Sequence, residues 1–221
     1  AALRKGTRFV LFKPLDSRFP YMKVGYAGLP EAYAADPHAH SATLFAVAVQ
    51  PLPAGWTTTE QSPAAHVVAT IGAAGQIEAE TNALLLAEGI EQGPHCAATF
   101  AELEKWRGWG VGAADVAQRR DLRQTRVFSI DPTSARDLDD ALHVTKLEDG
   151  TFEIGVHIAD VSHFVTPESS LDADAGMRAT TVYLVNKVVP MLPRMLCNEH
   201  CSLNPLVERL AFSCVRFSGM R

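Results

Sequence analysis

Short runs of apolar and β-branched residues, separated by proline- and glycine-rich breaks, dominate the first third of this chain. Residues 7–12 (Thr-Arg-Phe-Val-Leu-Phe) and 43–50 (Thr-Leu-Phe-Ala-Val-Ala-Val-Gln) predict strands, and Pro14, Pro20, Pro30 and Pro37 mark turns between them. Residues 66–72 (His-Val-Val-Ala-Thr-Ile-Gly) predict a further strand after a proline- and threonine-rich loop. Short strands carrying basic and aromatic residues suggest a small β-barrel of the kind that tracks single strands. Most of its aromatics, Phe9, Phe12 and Tyr26 among them, are read as core. Phe19 and Tyr21 flank Pro20 in a loop and are the candidates for base stacking. The pattern turns helical over residues 81–88, with Thr81 as the expected N-cap before Ala-Leu-Leu-Leu. Residues 89–125 read as a connector with one helix, from about 113 to 123.

Alternation returns in the last third. Residues 141–147 and 151–158 flank Glu148-Asp149-Gly150 and predict a hairpin around an Asp-Gly turn. Ser169 or Ser170 is expected to cap a helix running to about Met177, and residues 180–185 read as a strand. Pro190 and Pro193 break the chain before residues 195–201, and residues 210–217 form a last strand.

The hairpin is entered through Asp131-Pro132-Thr133-Ser134-Ala135-Arg136-Asp137-Leu138-Asp139-Asp140. Four carboxylates fall in this run with one basic residue among them, and apolar, strand-like sequence flanks both ends. Gathering like charges raises their energy unless a positive charge offsets it. A divalent cation held by hard oxygen ligands is the simplest account, with Mg²⁺ or Mn²⁺ favoured over zinc because no Cys or His lies inside the run. An Asx-rich turn is the competing and weaker reading. Such an acid set suits phosphoryl hydrolysis assisted by two metal ions.

Composition changes the picture only locally. With 47% hydrophobic and 20% charged residues over 221 positions, the chain has a globular balance and room for one large or two modest domains. Its net charge of −5 argues against a uniformly basic nucleic-acid binder. Residues 1–30, however, carry Arg4, Lys5, Arg8, Lys13, Arg18 and Lys23 against Asp16 alone. Neither a membrane span nor a signal peptide is read, and Cys96, Cys197, Cys201 and Cys214 are expected as reduced thiols of an intracellular protein.

Other clusters are weaker. His157, Asp160 and His163 recur at a spacing of three but cross from strand to loop. Hydrogen-bonded His157 and Asp160 and a surface His163 are expected. Cys197, His200 and Cys201 lack a fourth zinc ligand and read as buried thiols on a short helix. Arg119, Arg120 and Arg123 are candidates for phosphate contact, but for most of them a solvated helix face is the stronger reading. Tyr183 offers a stacking ring, and Arg178, Lys187 and Arg194 offer phosphate contacts, within one segment.

Ser129-Ile130-Asp131-Pro132 through Asp137-Leu138-Asp139-Asp140-Ala141-Leu142 resembles the signature of the RNase II/RNase R (RNB-domain) superfamily. The resemblance continues in Gly155-Val156-His157-Ile158-Ala159-Asp160-Val161-Ser162, Arg178-Ala179-Thr180-Thr181-Val182-Tyr183-Leu184, Val188-Val189-Pro190-Met191-Leu192-Pro193 and Cys201-Ser202-Leu203-Asn204-Pro205. Upstream, Gly75-Gln76-Ile77-Glu78-Ala79-Glu80-Thr81 and Arg119-Arg120-Asp121-Leu122-Arg123 fit its eukaryotic branch, and within that branch the exosome-independent cytoplasmic type acting on oligouridylated RNA.

The resemblance implies a mixed fold: a small OB-like (cold-shock) β-barrel, then the N-terminal part of an α/β RNB catalytic domain. Residues 1–80 would be the second cold-shock domain, 81–125 a connector with helices, and 126–221 the catalytic part. It implies a processive, Mg²⁺-dependent (Mn²⁺ as alternative) 3′-to-5′ exoribonuclease that hydrolyses single-stranded RNA to nucleoside 5′-monophosphates. Asp131 and Asp140 would ligate the metal, Asp139 would be the acid essential for cleavage, and Asp137 would support the cluster. Tyr183 would pack on the terminal nucleotides, with Arg178, Lys187, Arg194 and Tyr21 as further RNA contacts. A first cold-shock domain, the rest of the RNB domain and an S1 domain have no counterpart here. A second chain or segment supplying them is therefore an expected partner, alongside the RNA 3′ end and without a membrane. A cytoplasmic location is expected, with an organellar one as the alternative. On this expectation the chain alone trims RNA poorly, and the alternative is a catalytically silent RNA-binding or scaffold fragment.

Overall fold

The computed structural model describes residues 8–218 apart from 37, 53 and 58–61. Arg4, Lys5 and Pro37 lie outside the described residues. The chain divides into two compact units, Ala1–Glu91 and Gln92–Arg221.

In the first unit, strands β1 (Phe9–Phe12), β2 (Met22–Gly25), β3 (Thr43–Val49) and β4 (Ala64–Ala73) form one sheet in the order β1-β2-β4-β3. The β2–β4 pairing is parallel, and the two outer pairings are antiparallel. Two irregularities in the β3–β4 register bend that pair, yet the sheet does not close on itself among the described residues. The unit has the expected OB-like strand content in open form. Strand β2 was not anticipated, because Met-Lys-Val-Gly offers only four residues after Pro20; its Val24 is fully buried. Phe12, Tyr33 and Phe45 pack as an aromatic cluster with centroids 5.4–5.8 Å apart, Tyr33 coming from helix α1 (Glu31–Ala35).

Helix α2 spans Ile77–Ala87 and begins a turn earlier than expected. Gln76 is the N-cap residue, while Thr81 lies inside the helix and is buried, so it is not the cap. The Gly75 amide donates to Glu80 Oε1 (2.8 Å), so an acid in the first turn, and not a hydroxyl, satisfies the helix entrance.

The second unit opens with α3 (Ala97–Leu103) and α4 (Ala113–Gln118) where a single longer helix was expected. Helix α3 is capped by the Cys96 thiol, which accepts from the Thr99 amide, a cap that sequence preferences do not flag. Next come β5 (Val127–Phe128), β6 (Asp140–Lys146) and β7 (Phe152–Ala159), then α5 (Ser170–Arg178). A two-stranded ribbon of β8 (Val182–Tyr183) and β9 (Val188–Val189) precedes a wide helical turn over Met195–His200, and β10 (Ala211–Ser218) completes the sheet.

That sheet runs β10-β7-β6-β5, all antiparallel. The predicted hairpin is β6–β7, with Gly150 at φ +83°, a left-handed position that glycine occupies without strain. Ser169 caps α5 by accepting from the Asp172 amide (3.2 Å). Burial alternates along β7: Gly155, His157 and Ala159 face inward while Val156 and Ile158 stay exposed. Gly155 has no space for a side chain, since a Cβ would stand 2.2 Å from the His143 ring.

Leu103, Ala159, Phe164, Leu171, Leu196 and Cys201 form the core, flanked by Trp106 and Trp109. His163 joins this aromatic wall, with its ring centroid 5.3 Å from Trp106 and 5.5 Å from Trp109. The expected surface position for His163 is therefore wrong, because the short 3-10 turn Val161–His163 folds its ring back onto the tryptophans.

Candidate active site

The acidic run passes from a loop into the start of a rigid strand pair. Asp131 follows β5, and the Ala135 amide closes a turn onto the Pro132 carbonyl (2.9 Å). The Asp139 carbonyl accepts from the Ala159 amide (2.9 Å), and Asp140 is the first residue of β6, opposite Ile158. None of the four carboxylates has an ion-pair partner among the described residues. Asp139 keeps accessible surface, yet the chain packed around it excludes enough water to raise its carboxyl above the ordinary aspartate value. The negative charges of Asp137, Asp140 and Asp131 raise it further, in that order.

Asp137 accepts a hydrogen bond from the Tyr183 hydroxyl, which brings together two residues 46 positions apart. That bond is the main reason the Tyr183 hydroxyl titrates above its usual range, with burial and the charges of Asp137 and Asp139 adding to it.

An all-oxygen set with unbalanced negative charge fits the chemistry of a hard divalent cation. It does not form a ready ligand shell: among the described residues no three acidic, His or Cys side chains converge closely enough to hold an ion. Asp140 opens β6 opposite Ile158, while Asp139 lies in the loop just before that strand.

The loop that carries these acids is pinned from behind. Leu138 N–H donates to Ser202 Oγ (3.0 Å), Ser202 Oγ donates to the Arg136 carbonyl (3.2 Å), and Leu203 N–H donates to the Leu138 carbonyl (2.8 Å). Arg209 Nε in turn donates to the carbonyls of Ser202 (3.1 Å) and Glu199 (2.9 Å). The residue-by-residue reading singled out neither Ser202 nor Arg209. The lone polar Ser202 next to Cys201 and Leu203 was the available signal, and it carried no partner until the fold supplied one.

Arg178, Lys187 and Arg194 do come together, lining a cleft of about 410 Å³ with Gln92, His95 and Phe100. Arg178 is nearly buried there: its Nε donates to Asp174 Oδ1 (3.0 Å) and its Nη2 to the Gly93 carbonyl (2.9 Å). Lys187 Nζ donates to Gln92 Oε1 (3.0 Å). Tyr183 is exposed beside the acids, and Tyr21 is exposed in the first unit.

The basic cluster after α4 is not a solvated helix face. The helix ends at Gln118, and the arginines pair across the fold: Arg119 with Asp160 (2.7 Å), Arg120 with Glu153 (2.9 Å), and Arg123 with Asp121 (2.7 Å) and Glu208 (3.1 Å). His157 is buried in a file of hydrogen-bonding groups, with its Nε2 2.7 Å from His143 Nδ1 and its Nδ1 2.8 Å from Ser213 Oγ. His143 Nε2 lies 3.1 Å from Glu153. In the other cluster, His200 Nε2 donates to the Trp106 carbonyl, and burial, then the charge of Asp139, pushes the Cys201 thiol up to about 12. A neutral buried thiol is a poor metal ligand.

The chain matches the RNB domain over residues 119–217 and the Dis3-like cold-shock domain 2 over residues 9–89. Residues 119–217 belong to the RNB-domain family. It is 42% identical over 205 residues to DIS3-like exonuclease 2 of Xenopus tropicalis, covering 93% of this chain and 24% of that protein. It is 37% identical over 211 residues to the human exosome complex exonuclease RRP44, covering 96% of this chain and 21% of that protein. Mycoplasma genitalium RNase R, solved in complex with double-stranded RNA, superposes with a TM-score of 0.70 at 26% identity, over 90% of this chain and 33% of that one. The chain thus spans about a fifth to a quarter of the length of the curated relatives it matches. No helix among the described residues is long and apolar enough to cross a membrane.

Proposed function

We propose that this chain carries the acidic centre of a 3′-to-5′ exoribonuclease that hydrolyses single-stranded RNA to nucleoside 5′-monophosphates, step after step along one strand. The observation that carries the reading is the set of Asp131, Asp137, Asp139 and Asp140: without an ion-pair partner among the described residues, crowded by like charge at Asp139, and placed at the mouth of a hairpin within an RNB match. In this reading Asp131 and Asp140 hold Mg²⁺, or Mn²⁺ in its place, Asp139 is essential for cleavage, and Asp137 supports the cluster through Tyr183. A bound divalent cation would activate water and stabilise the leaving oxygen. The chain's own part is to hold carboxylates where the scissile phosphate arrives and to present Tyr183 for stacking on the terminal bases. Lys187 and Arg194 receive phosphates, and Arg178 shapes their cleft from its anchored position. Residues 1–80, with Tyr21, guide the strand as a cold-shock domain, 81–125 connect, and 126–221 carry the catalytic part. Oligouridylated RNA in the cytoplasm is the favoured substrate and setting.

Because the chain spans only part of the length of its relatives, its turnover alone is expected to be weak and to rise when a polypeptide completing the RNB and S1 parts is supplied. The test incubates labelled oligouridylate and Mg²⁺ with wild type and with Asp139→Asn, each with and without that polypeptide. Trimming by completed wild type, lost in Asp139→Asn, supports the hydrolase. Binding without cutting in every arm supports the second reading, a catalytically silent RNA-binding fragment.

A further inference from the structure

We propose that Ser202 is a positioning residue for the acidic centre, clamping the loop at 136–138 so that Asp137 and Asp139 keep their separation. The proposal rests on the reading of those aspartates as the working site.

The geometry uses the whole hydroxyl. Ser202 is fully buried, and its Oγ accepts from the Leu138 amide (3.0 Å) while donating to the Arg136 carbonyl (3.2 Å). Those two backbone groups lie on either side of Asp137. The next residue adds a third tie, Leu203 N–H to the Leu138 carbonyl (2.8 Å). Leu138 therefore has both of its backbone groups bound to the segment Ser202-Leu203, and it lies between the two aspartates. One residue later, the Asp139 carbonyl is held by Ala159 of β7 (2.9 Å). Between these ties the backbone has little freedom to respond to the repulsion among the carboxylates, which rises when any bound cation leaves.

The clamp is itself braced. Arg209 Nε donates to the Ser202 carbonyl (3.1 Å) and to the Glu199 carbonyl (2.9 Å), tying the end of the Met195–His200 turn to the stretch before β10. Leu196 of that turn and Cys201 just after it are buried in the core. Core packing is thereby transmitted through Ser202 to the acidic loop. A fully buried hydroxyl with both functions engaged is costly to lose, because removing it leaves the Leu138 amide without its partner. Residues that hold ligands in this way change metal affinity by about ten- to a hundred-fold when removed.

The test measures two properties of the 221-residue chain. One is hydrogen exchange at the Leu138 amide, and the other is Mn²⁺ affinity by titration. Ser202→Ala is compared with Ser202→Thr, which keeps the hydroxyl, and with Ser213→Ala, which removes a different sheet hydroxyl, the one bonded to His157. Circular dichroism verifies that each variant is folded. Expected are about ten-fold faster exchange at Leu138 and at least about ten-fold weaker Mn²⁺ binding in Ser202→Ala, with neither change in Ser213→Ala. If Ser202→Ala does not fold, Ser202→Thr decides: retained Leu138 protection and Mn²⁺ affinity support the clamp, and loss of both overturns it. Unchanged Leu138 exchange in a folded Ser202→Ala overturns the proposal, as does equal Mn²⁺ loss in Ser213→Ala. Should wild type bind Mn²⁺ no better than an Asp139→Asn/Asp140→Asn variant, the metal reading fails, while the exchange measurement still decides the clamp.

Discussion

Two charged segments of the second unit lie within a few residues of each other and are built on opposite terms. In residues 119–123 each arginine meets an acid: Arg119 with Asp160, Arg120 with Glu153, and Arg123 with Asp121 and Glu208. In residues 131–140 four aspartates meet no cation among the described residues and raise one another's energy, Asp139 most clearly. The first segment uses charge to tie elements together. The second is held by neutral backbone bonds through Ser202, Leu203 and Ala159, and its charge is left unbalanced. Charge that contributes nothing to folding is available for ligand chemistry, and this is why the acidic run reads as the site and the arginines as scaffold.

The sharpest break in that comparison comes from removing an acid that is paired. Asp174 accepts from Arg178, the Cys96 amide and Thr99, and lies 3.0 Å from His95 Nδ1. Burial works to raise its carboxyl, but these bonds outweigh burial and hold it at about 2. Asp174→Ala leaves Arg178 buried without its partner, and a loss of about 3–5 kcal/mol is expected in urea unfolding. Arg119→Ala, which strips a half-buried pair from Asp160, is expected to cost about 1–2 kcal/mol by the same measurement. Arg123→Ala, exposed, is expected to shift the urea midpoint least of the three, and less still in high salt. Asp139→Asn is expected to be neutral or slightly stabilising without divalent metal, since it removes repulsion and no partner.

Acidity separates the two kinds of acid by sign. A lowered folded pKa means that the unfolded chain binds protons first. The stability contributed by Asp174 is thus present above its ordinary value of 3.8 and is lost as pH falls through about 2. Asp139 is raised, so its contribution is complete below 3.8 and is lost as pH rises through the higher folded value. Unfolding curves across acidic pH should therefore show Asp174→Asn falling behind wild type between about 2 and 4, and Asp139→Asn gaining on it above about 4.

Much of this was legible in the residues. Local signals carried the β6–β7 hairpin, because Asp149-Gly150 supplies the turn, and the start of α5, because Ser169 supplies a hydroxyl cap. The acidic run stood out because like charges between apolar strands demand an explanation. What escaped notice depends on distant partners. Nothing near Ser202 in the chain says that its hydroxyl bridges Arg136 and Leu138, and nothing near Arg119 says that Asp160 waits for it. His163 misled because a polar ring after a strand resembles surface, whereas Trp106 and Trp109 arrive from more than fifty residues upstream. Helix α2 began early because an acid and not a hydroxyl serves its first turn.

The acids of 131–140 carry charge that no cation among the described residues offsets and that a divalent cation can take up, whereas Asp160, Glu153, Asp174 and Glu208 are each bound to an arginine. Thermal unfolding of wild type, Asp140→Asn and Asp174→Asn, each with and without millimolar Mg²⁺, tests this division. Mg²⁺ is expected to raise the melting temperature of wild type and Asp174→Asn but not of Asp140→Asn, and without Mg²⁺ only Asp174→Asn is expected to be strongly destabilised. Equal destabilisation by both substitutions, with no Mg²⁺ effect on wild type, would contradict it.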